Sequence, residues 1–254
     1  MTSATIGFDA LTKGSILHKA LEIIWKELKS HQTLTTMSTN DLQTLINKAI
    51  ATAIGEYKNK HNSSLGQKYI ELEESRLKTL LISWLNLEKS RPSFTVLAQE
   101  HWKEFKVNGL LTKLQVDRID QLESGEKIII DYKTGKTNSK DWFGKRPKQP
   151  QLPIYCLTEN KVDAISFAQV RIDGLKFNGI SDHEIDIAGI KPAEKSTDFQ
   201  HRSWDELIEQ WRTTTASLAD EFTQGLASVT PTDRDTCKYC ELQQLCRIYE
   251  KADV

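Results

Sequence analysis

The chain has 254 residues, 38% of them hydrophobic and 27% charged, with few Gly and Pro, a mixture that suits a globular protein able to bury a substantial core. It holds no run of about 18 apolar residues and no basic-then-apolar leader, so a membrane span is excluded and a cytoplasmic location is the default expectation. At a net charge of −1, any affinity for nucleic acid must come from a local patch and not from a global field.

From Lys13 to Lys29 the apolar residues Ile16, Leu17, Ala20, Leu21, Ile24, Trp25 and Leu28 recur at three and four, which predicts an amphipathic helix. His18 and Glu22 share one face of it, beside the apolar stripe. His31 to Met37 reads as a polar loop, with a cap-like Ser38 to Asp41 ahead of a second helix over Leu42–Lys60. Tyr69–Glu88 follows as a third, after a loop ending at Gly66. Both are expected to be a helical cover over a sheet.

Thr95–Val107 alternates weakly, and Asn108-Gly109 is a strong two-residue hairpin signal. Leu110–Leu122 and Lys127–Lys133 complete a predicted antiparallel meander, the last strand reading Ile-Ile-Ile-Asp131-Tyr132-Lys133. Alternation places Asp131 and Lys133 on one side of that strand. If Asp117 of the preceding strand lies beside Asp131, two carboxylates and an ammonium converge, a set that can hold a hard divalent cation and a water next to a phosphate. Taken alone, the same trio is more simply a cross-strand ion pair with a spare acid.

Lys133, Lys136, Lys140, Lys145, Arg146 and Lys148 then make a basic stretch, with Trp142 and Phe143 interleaved as candidates for stacking on bases. Gln151 and Tyr155 sit four apart at the start of a short helix, and Cys156 reads as a small buried hydrophobe. Ala164–Ile172 is a further strand, Phe177–Ile187 an irregular edge, and Trp204–Phe222 a long helix. Near the end, Cys237, Cys240 and Cys246 fall within ten positions, which in a cytosolic chain argues for a metal site and against disulfides. Such spacing suits an iron–sulfur cluster or zinc.

In order, Gly14-x-x-x-His18, Asp117-Arg118-Ile119-Asp120, Asp131-Tyr132-Lys133-Thr134-Gly135 and Gln151-x-x-x-Tyr155 resemble the RecB-like branch of the PD-(D/E)XK nucleases. The cysteine tail resembles its iron–sulfur members, such as the AddB nuclease domain and CRISPR-associated exonucleases. The opening Gly7-Phe8-Asp9-Ala10 resembles the nuclease end of probable DNA repair proteins. The resemblance covers about residues 7–250. It implies an α/β fold with an αβββαβ core and mixed sheet, extra N-terminal helices and a C-terminal cysteine-bearing segment. A nuclease domain over 1–230, with a helical insertion at about 38–90, would carry residues 231–254 packed against it.

The same resemblance implies that His18, Asp117, Asp131 and the backbone carbonyl of Tyr132 bind Mg²⁺ or Mn²⁺. Lys133 would orient the attacking water, Gln151 and Tyr155 would contact substrate or brace the site, and Glu22 is a lesser candidate. Lys136, Lys140, Lys145, Arg146 and Lys148 would hold DNA. Cys237, Cys240 and Cys246 would ligate a 4Fe-4S cluster. Two positions depart from the pattern. Leu114 stands where the family has Gly three residues before the first metal aspartate, and no Cys precedes Cys156, so the fourth cluster ligand is not found in this chain. Either the chain is a segment of a longer protein or the cluster is incomplete, with zinc and His201 as the alternative. The implied activity is metal-dependent hydrolysis of DNA, of single-stranded ends, beside a helicase or helicase-like partner in repair or recombination. The competing expectation is a non-catalytic, cluster-stapled DNA-binding module.

Overall fold

The two-residue turn at Asn108-Gly109 has positive φ at both positions, 44° and 84°, the hand that matches the twist of the strands it joins. It connects β1 (Phe94–Val107) to β2 (Leu110–Leu122), and β2 returns through a second turn to β3 (Lys127–Lys133). β4 (Ala164–Gln169) lies parallel to β3, β5 (Lys176–Ser181) antiparallel to β4, and β6 (Ile190–Pro192) parallel to β5, giving one mixed sheet in the order β1-β2-β3-β4-β5-β6. This computed structural model describes residues 7–61, 66–196, 200, 202–238 and 240–247.

One face of the sheet is covered by α1 (Ala10–Leu28), α3 (Thr39–His61) and α4 (Gln67–Glu88), the other by α5 (Gln151–Thr158) and α6 (Trp204–Thr223). α1 starts where the Asp9 side chain accepts from Thr12 N at 2.7 Å and stops at Lys29 in the left-handed region, φ 58°. Its buried stripe meets Ile46, Ala49, Ile50 and Ala53 of α3 and Leu77, Leu81 and Trp84 of α4 in one core. β3 divides its side chains by alternation: Ile128, Ile130 and Tyr132 enter that core, and Ile129 enters the second one beneath α5 and α6. The run α1-β1-β2-β3-α5-β4 is the expected αβββαβ core.

Two local expectations are corrected. His31 to Met37 is not a loop. Ser30 caps a six-residue helix, α2 (His31–Thr36), its hydroxyl accepting from Thr33 N, and Leu34 pins that turn into the core. Phe177–Ile187 is not a ragged edge either, because β5 is an inner strand with β6 outside it. Gly189 makes this possible: at φ +93° it passes so close to Phe177 that a Cβ there would lie 2.0 Å from the Phe177 carbonyl oxygen. Beyond α6, the chain forms two short helices, α7 (Arg234–Lys238) and α8 (Gln243–Cys246). No helix among the described residues is long and apolar enough to cross a membrane.

Candidate active site at the fork of the sheet

β2 and β3 pair from Gln121↔Lys127 to Arg118↔Ile130 and then part, while β3 continues along β4 as far as Lys133↔Gln169. In the opening, the Asp117 carboxylate replaces the missing ladder bond, accepting from Tyr132 N at 2.7 Å. From the α1 side His18 brings Nδ1 to 3.4 Å from the same Asp117 Oδ2, with its ring edge-on to Tyr132 at 5.9 Å. On the other side of β3, Asp131 is buried and Lys133 Nζ stands 2.6 Å from its Oδ2. This oxygen is buried and is held by the ion pair with Lys133.

A third carboxylate joins from β1. Ligand atoms of His18, Glu100 and Asp117 all lie within 4.8 Å of one another. Glu100, at φ 45°, stands between the pairs Gln99↔Arg118 and His101↔Val116, so it faces Asp117 across the hairpin. Gln115 Nε2 holds its Oε2 at 2.6 Å. The motifs in the sequence do not point to Glu100 or Gln115, although the Asn108-Gly109 turn carries the information: counting back equally from a two-residue turn pairs position 100 with 117.

Burial and the neighbouring acids both show in the protonation of these groups. Burial, then the Asp117 and Glu22 charges, push Glu100 up to about 7. Burial and the Asp117 charge push Asp131 up to about 6 against the opposing pull of Lys133. Burial draws His18 down, but Asp117, with Asp131 and Glu100 behind it, outweighs this and holds it above its ordinary value. Imidazole and carboxylate donors this close, with the buried Asp131 carboxylate beside them, fit a divalent cation of the Mg²⁺ or Mn²⁺ type.

The other expected residues are placed as follows. Gln151 donates to the Gln115 carbonyl at 3.1 Å and to the Tyr155 hydroxyl at 3.4 Å. Tyr155 is fully buried, so this pair braces β2 and leaves the open cleft to others. Glu22 lines the cleft of about 460 Å³ beside His18, Glu100, Gln115 and Thr134, its carboxylate engaged by Lys19 at 3.2 Å and by Lys26. Lys136, Lys140 and Lys145 are exposed, at least in part, whereas Arg146 pairs with Glu221 of α6 and Lys148 with Asp233 before α7. Trp142 is corrected outright: it is fully buried against Phe167, with Phe143 tilted against Trp211 at 5.7 Å, so Trp142 presents no face to a base.

Cys237, Cys240 and Cys246 are free thiols on and around α7 and α8. Cys156, on α5, is buried with its thiol pushed up by burial, and it packs in the core with Leu152 and Trp211. Among the described residues the tail therefore offers three thiols, one short of a four-cysteine site; His201 lies outside the described residues.

A profile of the PD-(D/E)XK nuclease superfamily matches residues 4–247. Among curated proteins, the B chain of an ATP-dependent helicase/deoxyribonuclease of Streptococcus mutans is 25% identical over 215 residues, which is 78% of this chain and 18% of that protein. The chain thus spans less than a fifth of that relative's length. The crystal structure of SSO0001 aligns over 76% of this chain and 79% of its own at 16% identity, with a TM-score of 0.33, too loose a likeness to carry an argument.

Proposed function

The chain belongs to the PD-(D/E)XK nuclease superfamily, and from that premise we propose that it is a Mg²⁺- or Mn²⁺-dependent deoxyribonuclease acting on single-stranded ends. The supporting observation is the mutual approach of His18, Glu100 and Asp117 at the sheet fork, with Asp131 and Lys133 beside them. In this reading His18, Glu100, Asp117, Asp131 and the Tyr132 carbonyl hold the ion. Bound there, a divalent cation neutralises phosphate oxygens and lowers the pKa of water. Lys133 positions the attacking water against the scissile phosphate and offsets the charge that develops on it. Asp131 keeps the Lys133 ammonium in place, while Gln151 and Tyr155 hold β2 so that Asp117 keeps its aim. Lys136, Lys140 and Lys145 lead the strand in.

The wider setting rests on the helicase/deoxyribonuclease chain to which this one is similar. A helicase or helicase-like partner would deliver the strand in the cytoplasm during repair or recombination. Cys237, Cys240 and Cys246 would supply three ligands of a 4Fe-4S cluster whose fourth comes from outside the described residues. The test is cleavage of end-labelled single-stranded DNA with Mn²⁺, with and without chelator. Activity should vanish with chelator and in both Lys133→Ala and Asp131→Asn. Cleavage unchanged in both variants sinks the assignment, and metal-independent binding without cleavage supports a non-catalytic module instead.

A further inference from the structure

Of the six tryptophans in the chain, Trp25, Trp84, Trp142, Trp204 and Trp211 are at most 7% exposed, and Trp102 is 60% exposed. Its position in the register is specific. Trp102 on β1 is the direct cross-strand partner of Gln115 on β2, and paired residues of antiparallel strands project to the same face. Gln115 is the residue whose side chain holds Glu100 at 2.6 Å and lines the cleft with His18. Trp102 therefore stands one cross-strand pair from the candidate metal ligands, on the open side of the sheet.

The platform is stiff from behind. On the opposite face of the hairpin Lys103 pairs with Glu159 at the end of α5 at 3.1 Å, Leu114 packs on the second core, and Asn108 at the tip donates to the Ala216 carbonyl of α6 at 3.3 Å. Farther out on the Trp102 face come the cross-strand pairs Glu104↔Lys113, whose charges cancel at 3.5 Å, and Lys106↔Leu111. Lys106 has no ion-pair partner among the described residues. A flat indole next to the cleft, with a cation about four residues outward on the same strand face, matches a base with a phosphate farther along the strand.

We propose that Trp102 is a stacking platform for an unpaired nucleobase flanking the phosphate held at the His18–Asp117 site. This inference rests on the nuclease reading and adds to it a reason for preferring single strands, since a duplex already stacks its bases on one another and has none to offer an indole. It also moves the stacking role from the basic loop, where Trp142 is buried, to the hairpin.

The experiment uses the whole chain in chelator, so that no strand is cut, and titrates a thymidine oligonucleotide of about twelve nucleotides against an abasic strand of equal length. Wild type should bind the thymidine strand more tightly and lose tryptophan fluorescence on doing so. Trp102→Ala should weaken thymidine binding by roughly 5- to 150-fold, to the level of the abasic strand. Trp102→Phe should recover part of the loss. Equal affinity of wild type and Trp102→Ala for the thymidine strand, or unquenched fluorescence on binding, overturns the platform. A parallel Mn²⁺ cleavage assay separates the two ideas: cleavage by wild type with no effect of Trp102→Ala on binding defeats the platform alone, whereas neither cleavage nor binding by wild type defeats the nuclease reading and the platform with it.

Discussion

Arg118→Met should be among the most damaging single changes in the protein, although Arg118 lies next to the candidate site and not in it. Its guanidinium is 1% exposed, donates from Nε and Nη2 to Asp120 at 2.6 Å each, and from Nη1 to Glu88 at 2.8 Å and to the Tyr132 hydroxyl at 2.9 Å. It stacks 3.8 Å from the Trp25 ring centroid. Arg91 completes the cluster with Glu88 and with Asp120, so two guanidiniums balance two carboxylates in a dry core. Met fills much of the volume but leaves one buried negative charge without a partner. Breaking such a pair from one side costs about 3–5 kcal/mol, which for a domain of this size lowers the melting temperature by roughly 6–20 °C. The loss should carry a pH signature. Burial alone would raise Glu88, and the Arg118 and Arg91 guanidiniums hold it below its ordinary value. In wild type this contributes stability above pH 4.5 that is lost as pH falls through the folded pKa. With Arg118 gone, Arg91 alone opposes burial and Glu88 moves up, so the deficit should narrow as the buffer is taken from mildly alkaline to mildly acidic. Urea denaturation at the two ends of that range reads both quantities, and adding Asp120→Asn should restore about half of the loss by removing the stranded charge. A deficit below about 1 kcal/mol, or one independent of pH, would refute the reasoning.

Five further outcomes are expected. Because Glu100 and Asp131 titrate near 7 and 6 without metal, the apparent Mn²⁺ affinity measured by calorimetry should climb as pH is raised through that range and protons cease to compete, and Glu100→Gln should flatten the climb. Their raised values stabilise the metal-free fold below the ordinary carboxylate range, and this is lost as pH rises through 6 to 7; Mn²⁺ should therefore raise the melting temperature more above that window than below it. Gly189→Ala drives a methyl group into the Phe177 carbonyl and should cost about 2 kcal/mol or more by denaturant titration, with β6 exchanging amide hydrogens first. Lys148→Glu sets a carboxylate against Asp233 and should speed protease cleavage between α6 and Cys237, while leaving the α1 core intact. Cys240→Ser should lose any iron retained on anaerobic purification, and colourless, iron-free wild type would remove the cluster assignment.

The helices and strands are legible in the sequence because their periods are clean. Trp204–Phe222 is expected where Trp204–Thr223 is found, and Leu110–Leu122 and Lys127–Lys133 read at their observed bounds. Burial is harder to read wherever a long side chain could go either way. Arg118 sits between two acids and resembles a surface charge, yet it is the largest fully buried cation among the described residues, because the end of α4 brings Glu88 to meet it. Trp142 and Trp102 both stand among charged residues in sequence. What separates them is a 3₁₀ turn at Ser139–Trp142 that tucks Trp142 under Phe167, while β1 leaves Trp102 on an uncovered face. The family resemblance names His18 and the two aspartates, and the fold sets His18 beside Asp117. Glu100 requires the register, and the parting of β2 from β3 that makes room for them all is a tertiary event that no local period encodes.

The parting of those strands also explains why a single tetrapeptide, Asp117-Arg118-Ile119-Asp120, carries two opposite electrostatic designs. Arg118 and Asp120 point to the α1 side and enter a cluster whose charges cancel within the protein, which is what a dry core requires. Asp117, freed from the ladder, meets Glu100 and the His18 imidazole, with Asp131 and its partner Lys133 beside them. Among these five groups acids outnumber bases three to two, and Glu22 with its partner Lys19 lines the same cleft. Burial first, and then the charge of Asp117, raises both Glu100 and Asp131, so ionising them carries a cost that a bound cation would lower. A site meant only to staple strands would be expected to balance itself as the neighbouring Arg118 cluster does; leaving it unbalanced makes sense where a cation and a phosphate are to complete it.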